Sequence, residues 1–272
     1  VKPVFIYTDF LFSTLYKNYY SHLKISKSTL KEGNYCELRA LKKSKKIFLT
    51  SQYAIKDASK FYKISKKKFK FIPFGANLNP IPSKNKVFEI IKKKNFKICN
   101  LITSGVHWER KGIAKAIEVV NEINKKGIKA KLYVVGIQSV KNLNNLKNLK
   151  VIRFLDKNDK NDLKIYINLL KKMHFNLLFS KAEAYGLVNI EASAFGLYSI
   201  TNDVGGISGA IRNNVNGFRF KKNKKPSLIA DYIIRIFNDK NKFIMKSFSS
   251  RNLFDQKYDW NIISDSLRKS IK

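Results

Sequence analysis

The sequence predicts an α/β protein built on parallel β-sheets. Short apolar runs suited to buried strands alternate with amphipathic segments suited to helices along nearly the whole chain. Several predicted strands run directly into glycine-containing loops and then into helices, the arrangement that places ligands at the carboxyl ends of parallel strands. Hydrophobic residues make up 44% of the 272 residues, which is enough for a folded protein with one large or two ordinary domains.

The apolar runs define the predicted strands, and the amphipathic segments define the predicted helices. Strands are expected at 3–8, 46–50, 69–74, 97–103, 131–136, 151–155, 175–180, 197–201 and 217–220. Helices are expected at 29–44 after Ser28, 51–62 capped by Ser51, 111–126 ended by Gly127, 160–172 and 186–195, with three more from Pro226 onward, the last at 259–271. Proline, glycine and asparagine cluster at 74–86, which predicts a domain boundary there.

The formal net charge of +36 comes almost entirely from lysine. Such an excess is compatible with nucleic acid or an anionic membrane surface as a partner. Lysine is accompanied here by many Asn, Ile, Phe and Tyr residues, whose codons are rich in A and T, and arginine, which suits bidentate phosphate recognition, is rare. We therefore favour solvated lysine faces over a specific nucleic-acid site, and keep peripheral contact with an anionic membrane as compatible with either interpretation.

Neither a metal site nor a disulfide is indicated by the sequence. Cys36 and Cys99 lie far apart, and the three histidines are scattered. No apolar run approaches the ~20 residues of a membrane span, and the N-terminus is not a signal peptide, so we expect a cytoplasmic protein, with peripheral binding at the inner face of the membrane as an option. The segment 155–159, LDKND, lacks the spacing of a metal-binding DxD motif and suits a polar loop before a helix.

The most informative segment is SKAEAYGLVNIEASAFG at 180–196. It places Glu183 in a loop after a buried strand and Glu191 in the second turn of the following helix, with Gly186 permitting the tight turn between them. A helix N-terminus at a strand end favours an anion such as a diphosphate. The two carboxylates would then accept hydrogen bonds from neutral hydroxyls on either side of that anion, one set on a sugar and the other on a ribose.

Two further segments follow the same strand-to-helix pattern. In 101–136, Gly105 follows a strand, and Arg110, Lys111 and Gly112 are predicted to open a helix. A lysine at a helix start interacts unfavourably with the helix dipole, so its charge needs compensation from an anion or from solvent. For the segment RKG taken alone, we favour a solvated lysine over an anion site. In 200–218, the pair Gly205 and Gly206 fits a backbone anion nest or a tight turn equally well.

Together, in this order and spacing, these segments closely resemble glycosyltransferases of the GT-B fold, in particular the family 4 type of retaining nucleotide-sugar transferases. Residues 37–78 and 259–271 are similar to that family's linker region and closing helix. The resemblance implies an α/β, GT-B fold: a Rossmann-like doubly wound parallel sheet domain with an incomplete second Rossmann-like domain. The implied division is an acceptor-side part at 1–79, a linker at 80–95, a donor-binding domain at 96–255 and a C-terminal helix at 256–272 returning towards the first domain.

The resemblance also implies roles for individual residues. Glu183 matches the first Glu of the family's E-x7-E motif, beside the transferred sugar, and Glu191 matches the second, on the ribose. Lys111, with Arg110 beside it, matches the cation that holds the diphosphate, so no metal or other cofactor is expected. The implied donor-binding residues are Gly105, Lys111, Glu183, Ala184, Tyr185, Gly186, Leu187, Val188, Glu191, Gly205 and Gly206. The implied activity is hexosyl transfer with retention, in cell-surface polysaccharide, glycolipid or related glycan synthesis, to an acceptor the sequence does not identify.

The chain departs from the family pattern at three points. Val106 stands where relatives often have an arginine after the strand-loop glycine, and Asp9 stands where many have a histidine, so we include Asp9 among the candidate catalytic residues. Relatives also have further strands before the segment that begins this chain, which predicts an N-terminally truncated transferase. A lysine-rich nucleic-acid-binding protein and a GT-B epimerase or phosphorylase remain the alternatives. His107 and His174 are expected in loops or the core rather than as bases, and Trp108 and Trp260 in packing.

Overall fold

The computed structural model describes residues 2–20, 23–137 and 147–271, which form two parallel β-sheets. The small sheet has the order β1-β2-β3, and the large sheet has the order β6-β5-β4-β7-β8-β9. The small sheet contains β1 (Phe5–Thr8), β2 (Lys46–Leu49) and β3 (Phe69–Phe71). The large sheet contains β4 (Cys99–Ser104), β5 (Ala130–Val135), β6 (Leu149–Ile152), β7 (Phe175–Leu178), β8 (Tyr198–Asn202) and β9 (Gly217–Phe220). All predicted strands are present, and the predicted parallel α/β fold is confirmed.

The large sheet is doubly wound, and its direction of growth reverses at β4. From β4 the chain adds β5 and then β6 on one side, and it later returns to add β7, β8 and β9 on the other. The loops that follow β4 and β7 therefore diverge and leave a crevice at the carboxyl ends of these neighbouring strands. This crevice is the topological switch point at which doubly wound sheets bind ligands.

Helices connect the strands and cover the sheets. The helices are α1 (Phe12–Leu15), α2 (Lys27–Lys43), α3 (Gln52–Tyr62), α4 (Lys84–Lys92), α5 (Trp108–Lys111), α6 (Ile113–Lys125), α7 (Lys160–Lys172), α8 (Leu187–Ala194), α9 (Ile207–Ala210), α10 (Pro226–Phe237), α11 (Lys240–Leu253) and α12 (Trp260–Ile271). Ser51 caps α3 as predicted, its side chain accepting the Ala54 N–H at 3.1 Å. The predicted start of α2 after Ser28 is wrong, because Ser26 is the N-cap and accepts the Thr29 N–H.

The predicted single helix 111–126 is also wrong at its start. Lys111 ends the short helix α5, and Gly112, with φ +66°, separates α5 from α6. A Cβ atom on Gly112 would lie 2.1 Å from the carbonyl oxygen of Phe179, so only glycine lets the chain pass this close to the end of β7. Because of this break, Lys111 lies in the last turn of α5 and not in the first turn of α6. The unfavourable interaction expected from the sequence, between a lysine and the positive end of the helix dipole, therefore does not arise in α6.

The segment 80–95, predicted to be a linker, is largely helical and packed. Its helix α4 contacts α11, and Val87 and Ile91 are buried in the same hydrophobic cluster as the strands and helix α6 of the large sheet. These two apolar residues are four positions apart, so they lie on one face of the helix and bury it. Helix α4 therefore packs into the core of the large-sheet part of the chain, which comprises β4 to β9 and the helices around them.

The C-terminal helix α12 packs against the small sheet. Ile263 is buried in one cluster with Phe48 of β2 and Ile72, and the Trp260 indole N–H donates to the carbonyl of Ala76 at 2.9 Å. Trp260 thus has a packing role, as predicted. None of the helices in the described ranges is long and apolar enough to cross a membrane.

His174 is a core residue of the large-sheet part, as expected. Its Nδ1 accepts the Asn100 N–H at 3.0 Å, which leaves Nε2 to donate to the carbonyl of Asn95 at 3.0 Å. Burial, and then the nearby Lys94 ammonium, lowers the pKa of His174 to about 3. The ring is therefore neutral near pH 7, with both nitrogens occupied, and lies at the opposite end of β4 and β7 from the crevice.

Candidate active site

Two adjoining cavities occupy the crevice at the carboxyl ends of β4 and β7. The inner cavity has a volume of about 180 Å³, and the outer cavity has a volume of about 1010 Å³. Residues lining the inner cavity include Ser104, Gly105, Val106, Lys111, Gly136, Phe154, Lys157, Tyr166 and Val188. Residues lining the outer cavity include Asp9, Tyr19, Val106, His107, Trp108, Arg110, Glu183 and Ala184. The outer cavity lies between the large-sheet part and the small-sheet part, which comprises β1 to β3 with α1 to α3.

Glu183 and Lys111 meet at the junction of the two cavities. The Lys111 Nζ lies 2.9 Å from the Glu183 carboxylate, and both side chains are almost fully buried. Ser180 donates to the same carboxylate oxygen at 2.9 Å, and an Arg110 guanidinium nitrogen lies 3.7 Å from it. One carboxylate is thus surrounded by a hydroxyl and two cations, leaving net positive charge for an anionic ligand.

The position of Lys111 depends on the glycine at the end of β4. A Cβ atom on Gly105 would lie 2.7 Å from Cγ of Lys111, so the absent side chain leaves the space along which the lysine stem runs. Val106, the departure from the family pattern, is 53% exposed and lines both cavities. Because valine carries no charge, the cations beside Glu183 at this end of β4 are Arg110 and Lys111.

The loop from Glu183 to Gly186 is held by contacts on both sides. Gly186, at φ +83°, is the N-cap of α8, and the amides of Leu187 and Val188 in the first turn have no acceptor within the helix. The Tyr185 hydroxyl donates to the carbonyl of Phe74 at 3.0 Å, which ties the loop to the end of the small-sheet part. The first turn of α8 therefore presents free N–H groups and its positive dipole end beside the inner cavity.

Glu191 is completely buried behind the inner cavity. Its carboxylate pairs with the Lys157 ammonium at 2.5 Å and accepts the Tyr166 hydroxyl at 3.2 Å. Burial raises the pKa of Glu191, and the charge of Lys157 opposes that shift. Lys157 and Tyr166 were not predicted as site residues. The only sequence signal for Lys157 was its place in the loop 155–159, and Tyr166 shows only as an apolar-face residue of α7.

The predicted backbone nest at Gly205 and Gly206 is not available to a ligand at Gly206. The Gly206 N–H donates to the carbonyl of Glu183 at 2.9 Å, and a Cβ atom on Gly206 would lie 1.6 Å from the carbonyl oxygen of Ala184. At Gly205 a Cβ atom would lie 2.2 Å from the Glu183 carbonyl oxygen. Of the two interpretations left open, close packing of a tight turn accounts for this pair, which supports the Glu183 loop from behind.

Asp9 faces the outer cavity from the end of β1. Its carboxylate accepts the Phe10 N–H at 2.9 Å. Burial is the main cause that raises the pKa of Asp9. The hydrogen bond from the Phe10 N–H lowers this pKa, and the negative charge of Glu183 raises it. Asp9 and Glu183 therefore share one cavity from opposite parts of the chain. Among the described residues, no group of three or more His, Cys, Asp and Glu side chains is placed to hold a metal ion.

The two parallel α/β sheets have the GT-B architecture, with a cleft at the switch point of the larger sheet. The sequence model of the family described as glycosyl transferases group 1 matches residues 84–250. That match covers more than half of the chain, and the chain belongs to this family.

Three solved structures that share the fold are distant in sequence from this chain. WaaG, a glycosyltransferase involved in lipopolysaccharide biosynthesis, superimposes with a TM-score of 0.68 at 16% identity, covering 97% of this chain and 74% of WaaG. HepE of Anabaena, solved in complex with UDP and glucose, gives 0.72 at 14% identity, covering 99% of this chain and 71% of HepE. A glycosyltransferase from Rickettsia africae gives 0.66 at 20% identity, with coverages of 91% and 67%. No curated protein matches the chain significantly.

Proposed function

We propose that this protein transfers a hexose, with retention of anomeric configuration, from a nucleoside diphosphate sugar to a hydroxyl group of an acceptor, as the family 4 type of glycosyltransferase does. The observation that carries the proposal is the buried Glu183–Lys111 pair at the junction of the two cavities, beside the free amides of α8. The proposal also draws on HepE, a structural neighbour whose crystals contain UDP and UDP-glucose.

The nucleoside is assigned to the inner cavity and the diphosphate to its mouth. Phe154 is 55% exposed there and offers an aromatic face to a base. Glu191 would accept the ribose hydroxyls once Lys157 moves aside, because the carboxylate itself is fully covered. Lys111, Arg110 and the amides of Leu187 and Val188 would then surround the two phosphates, an arrangement suited to a doubly charged anion.

The sugar and the acceptor are assigned to the outer cavity. When the bond to the diphosphate breaks, negative charge grows on the leaving group, and Lys111 and Arg110 are placed to stabilise it. With these cations and the helix amides supplying the positive charge, we propose that the step needs no metal ion. Glu183 would accept hydrogen bonds from the sugar, and Asp9 would face the sugar or the acceptor from the opposite wall.

The acceptor and its pathway are proposed only by class. A glycan or lipid hydroxyl fits the open outer cavity, as in cell-surface polysaccharide or glycolipid synthesis. The lysine excess of the chain would favour peripheral contact with an anionic membrane that carries such an acceptor, at the cytoplasmic face where nucleotide sugars are available.

A panel of nucleotide sugars tests the proposed function. A ligand that binds only the native state raises its apparent stability, so one or more UDP-, GDP- or ADP-sugars should raise the Tm in the presence of EDTA. Glu191→Gln should lower the affinity for the best ligand about tenfold or more and reduce discrimination against its 2′-deoxyribose analogue, because the charge is removed and one of the two acceptor oxygens is replaced by an NH2 group that only donates. Glu122→Gln, on the exposed side of α6, is the matched control and should bind as the wild type does.

The outcome that would refute the assignment is absence of any stabilisation across the panel, or equal ribose discrimination in Glu191→Gln and the wild type. Product analysis with the best donor separates transfer from epimerisation, since transfer releases the nucleoside diphosphate and an epimerase that retains the nucleotide returns a nucleotide sugar.

A further inference from the structure

Tyr19 contacts the donor-binding loop from the small-sheet part of the chain. It lies in the helical turn Tyr16–Tyr20, and its hydroxyl accepts the backbone N–H of Ala184. The Ala184 methyl group is buried in the hydrophobic cluster of the small-sheet part, against which Tyr19 also packs. The residue next to Glu183 is thus held by a side chain from across the cleft.

The Tyr19 hydroxyl still has a proton to donate. A phenol can accept hydrogen bonds and also donate one, and within the described ranges the Tyr19 proton has no acceptor. Burial, and then the Glu183 charge, raises the pKa of Tyr19, so the hydroxyl stays protonated at neutral pH. The Arg110 guanidinium also lies 4.9 Å from the centroid of the Tyr19 ring, a cation–π contact that favours this position of the ring.

The space in front of this hydroxyl is the outer cavity, which Tyr19 lines together with Asp9, Arg110 and Glu183. The two carboxylates can only accept hydrogen bonds, and the Arg110 guanidinium can only donate. A neutral O–H donor that lines the same cavity suits a sugar oxygen, which carries no charge.

We propose that Tyr19 is a sugar-binding residue of the donor site, with its hydroxyl accepting the Ala184 N–H and donating its own proton to an oxygen of the transferred sugar. This assignment rests on the proposed function and adds to it a contact from the acceptor-side part of the chain. Sugar recognition would then require the small-sheet part to be docked against the Glu183 loop.

The test compares sugar-bearing and sugar-free nucleotides in the full chain. Titration calorimetry would measure the affinity of wild type, Tyr19→Phe and Tyr53→Phe for the best nucleotide sugar of the panel and for its bare nucleoside diphosphate. Tyr53 packs in the same cluster and does not line the outer cavity, so its variant makes the same chemical change as a control. We expect Tyr19→Phe to weaken binding of the nucleotide sugar about three- to tenfold, the range for one hydrogen bond, and to leave the diphosphate affinity unchanged.

An equal change in both affinities would overturn the assignment, because a purely structural role affects the whole site and not the sugar alone. No change in either affinity would also overturn it, because the hydroxyl would then make no contact that contributes to sugar binding. Such a result, with the wild type still binding nucleotides, would leave the proposed function intact. If no nucleotide binds the wild type, the proposed function fails and the Tyr19 assignment fails with it.

Discussion

Replacing Lys111 by methionine is expected to lower the rate of sugar transfer, as kcat/KM for the donor, about 100- to 1000-fold. That range is typical of removing one preorganised group that stabilises charge developing in a transition state. Lys111 is the better placed of the two cations, since its ammonium is buried at 2.9 Å from Glu183 while Arg110 lies at 3.7 Å. Methionine keeps most of the stem that fits against Gly105 and removes only the charge.

The fold should survive this change. Glu183 would keep the Ser180 hydroxyl and the Arg110 guanidinium as neighbours, so its carboxylate is not left without partners. Lys126→Met is the matched control, because it removes an equal charge from an exposed pair with Asp231 on the large-sheet part. A Lys111→Met protein that unfolds cooperatively and yet retains kcat/KM within threefold of the wild type would refute the assigned role of Lys111.

Replacing Gly206 by alanine is expected to lower the free energy of unfolding by about 3 kcal/mol or more and to abolish donor binding. The new methyl group would lie 1.6 Å from the Ala184 carbonyl oxygen, and neither backbone can move without breaking the 2.9 Å hydrogen bond from Gly206 to Glu183. Overpacking in rigid surroundings costs about 1–3 kcal/mol, and contact with backbone belongs at the upper end. The displaced loop carries Glu183, so stability and binding should fall together.

Gly127→Ala is the comparison that separates packing from backbone strain. Gly127 has φ +85°, and no atom of the described residues lies within 4 Å of its added Cβ, so the change costs only the strain of a left-handed alanine, about 1–2 kcal/mol. Its donor affinity should equal that of the wild type. Urea unfolding with calorimetric titration measures both quantities, and a Gly206→Ala protein as stable as the wild type would contradict the packing described for this turn.

The parallel sheets could be predicted because buried strands and amphipathic helices leave a local pattern in the sequence. The predicted strand 175–180, FNLLFS, is mostly apolar, and β7 (Phe175–Leu178) lies within it. The start of α6, which was predicted wrongly, and the helix α4, which was not predicted, depend on contacts distant in sequence. The start of α6 depends on Gly112 passing within contact distance of Phe179, and α4 is part of the core because it packs on α11, and neither contact is visible in a local window.

Contacts distant in sequence also decide which residues form the candidate site. The resemblance pointed to Glu183 and Lys111, which the fold brings together. Lys157 and Tyr19 were missed, since each is one of many lysines or tyrosines with no local feature, and each gains a role only by reaching a residue 34 or 165 positions away. The resemblance listed Gly205 and Gly206 as donor-binding residues, while their local pattern left a nest and a tight turn equally open, because a glycine that approaches a ligand and a glycine that approaches backbone look alike in sequence.

A crystal structure of the protein with its best nucleotide sugar from the panel would show every proposed donor contact at once. The proposed donor site requires the diphosphate to lie against Lys111 and the amides of Leu187 and Val188, the ribose hydroxyls to lie on Glu191 with Lys157 moved aside, and the sugar to lie between Glu183 and Asp9. A diphosphate bound away from Lys111, or a ribose that makes no contact with Glu191, would contradict it.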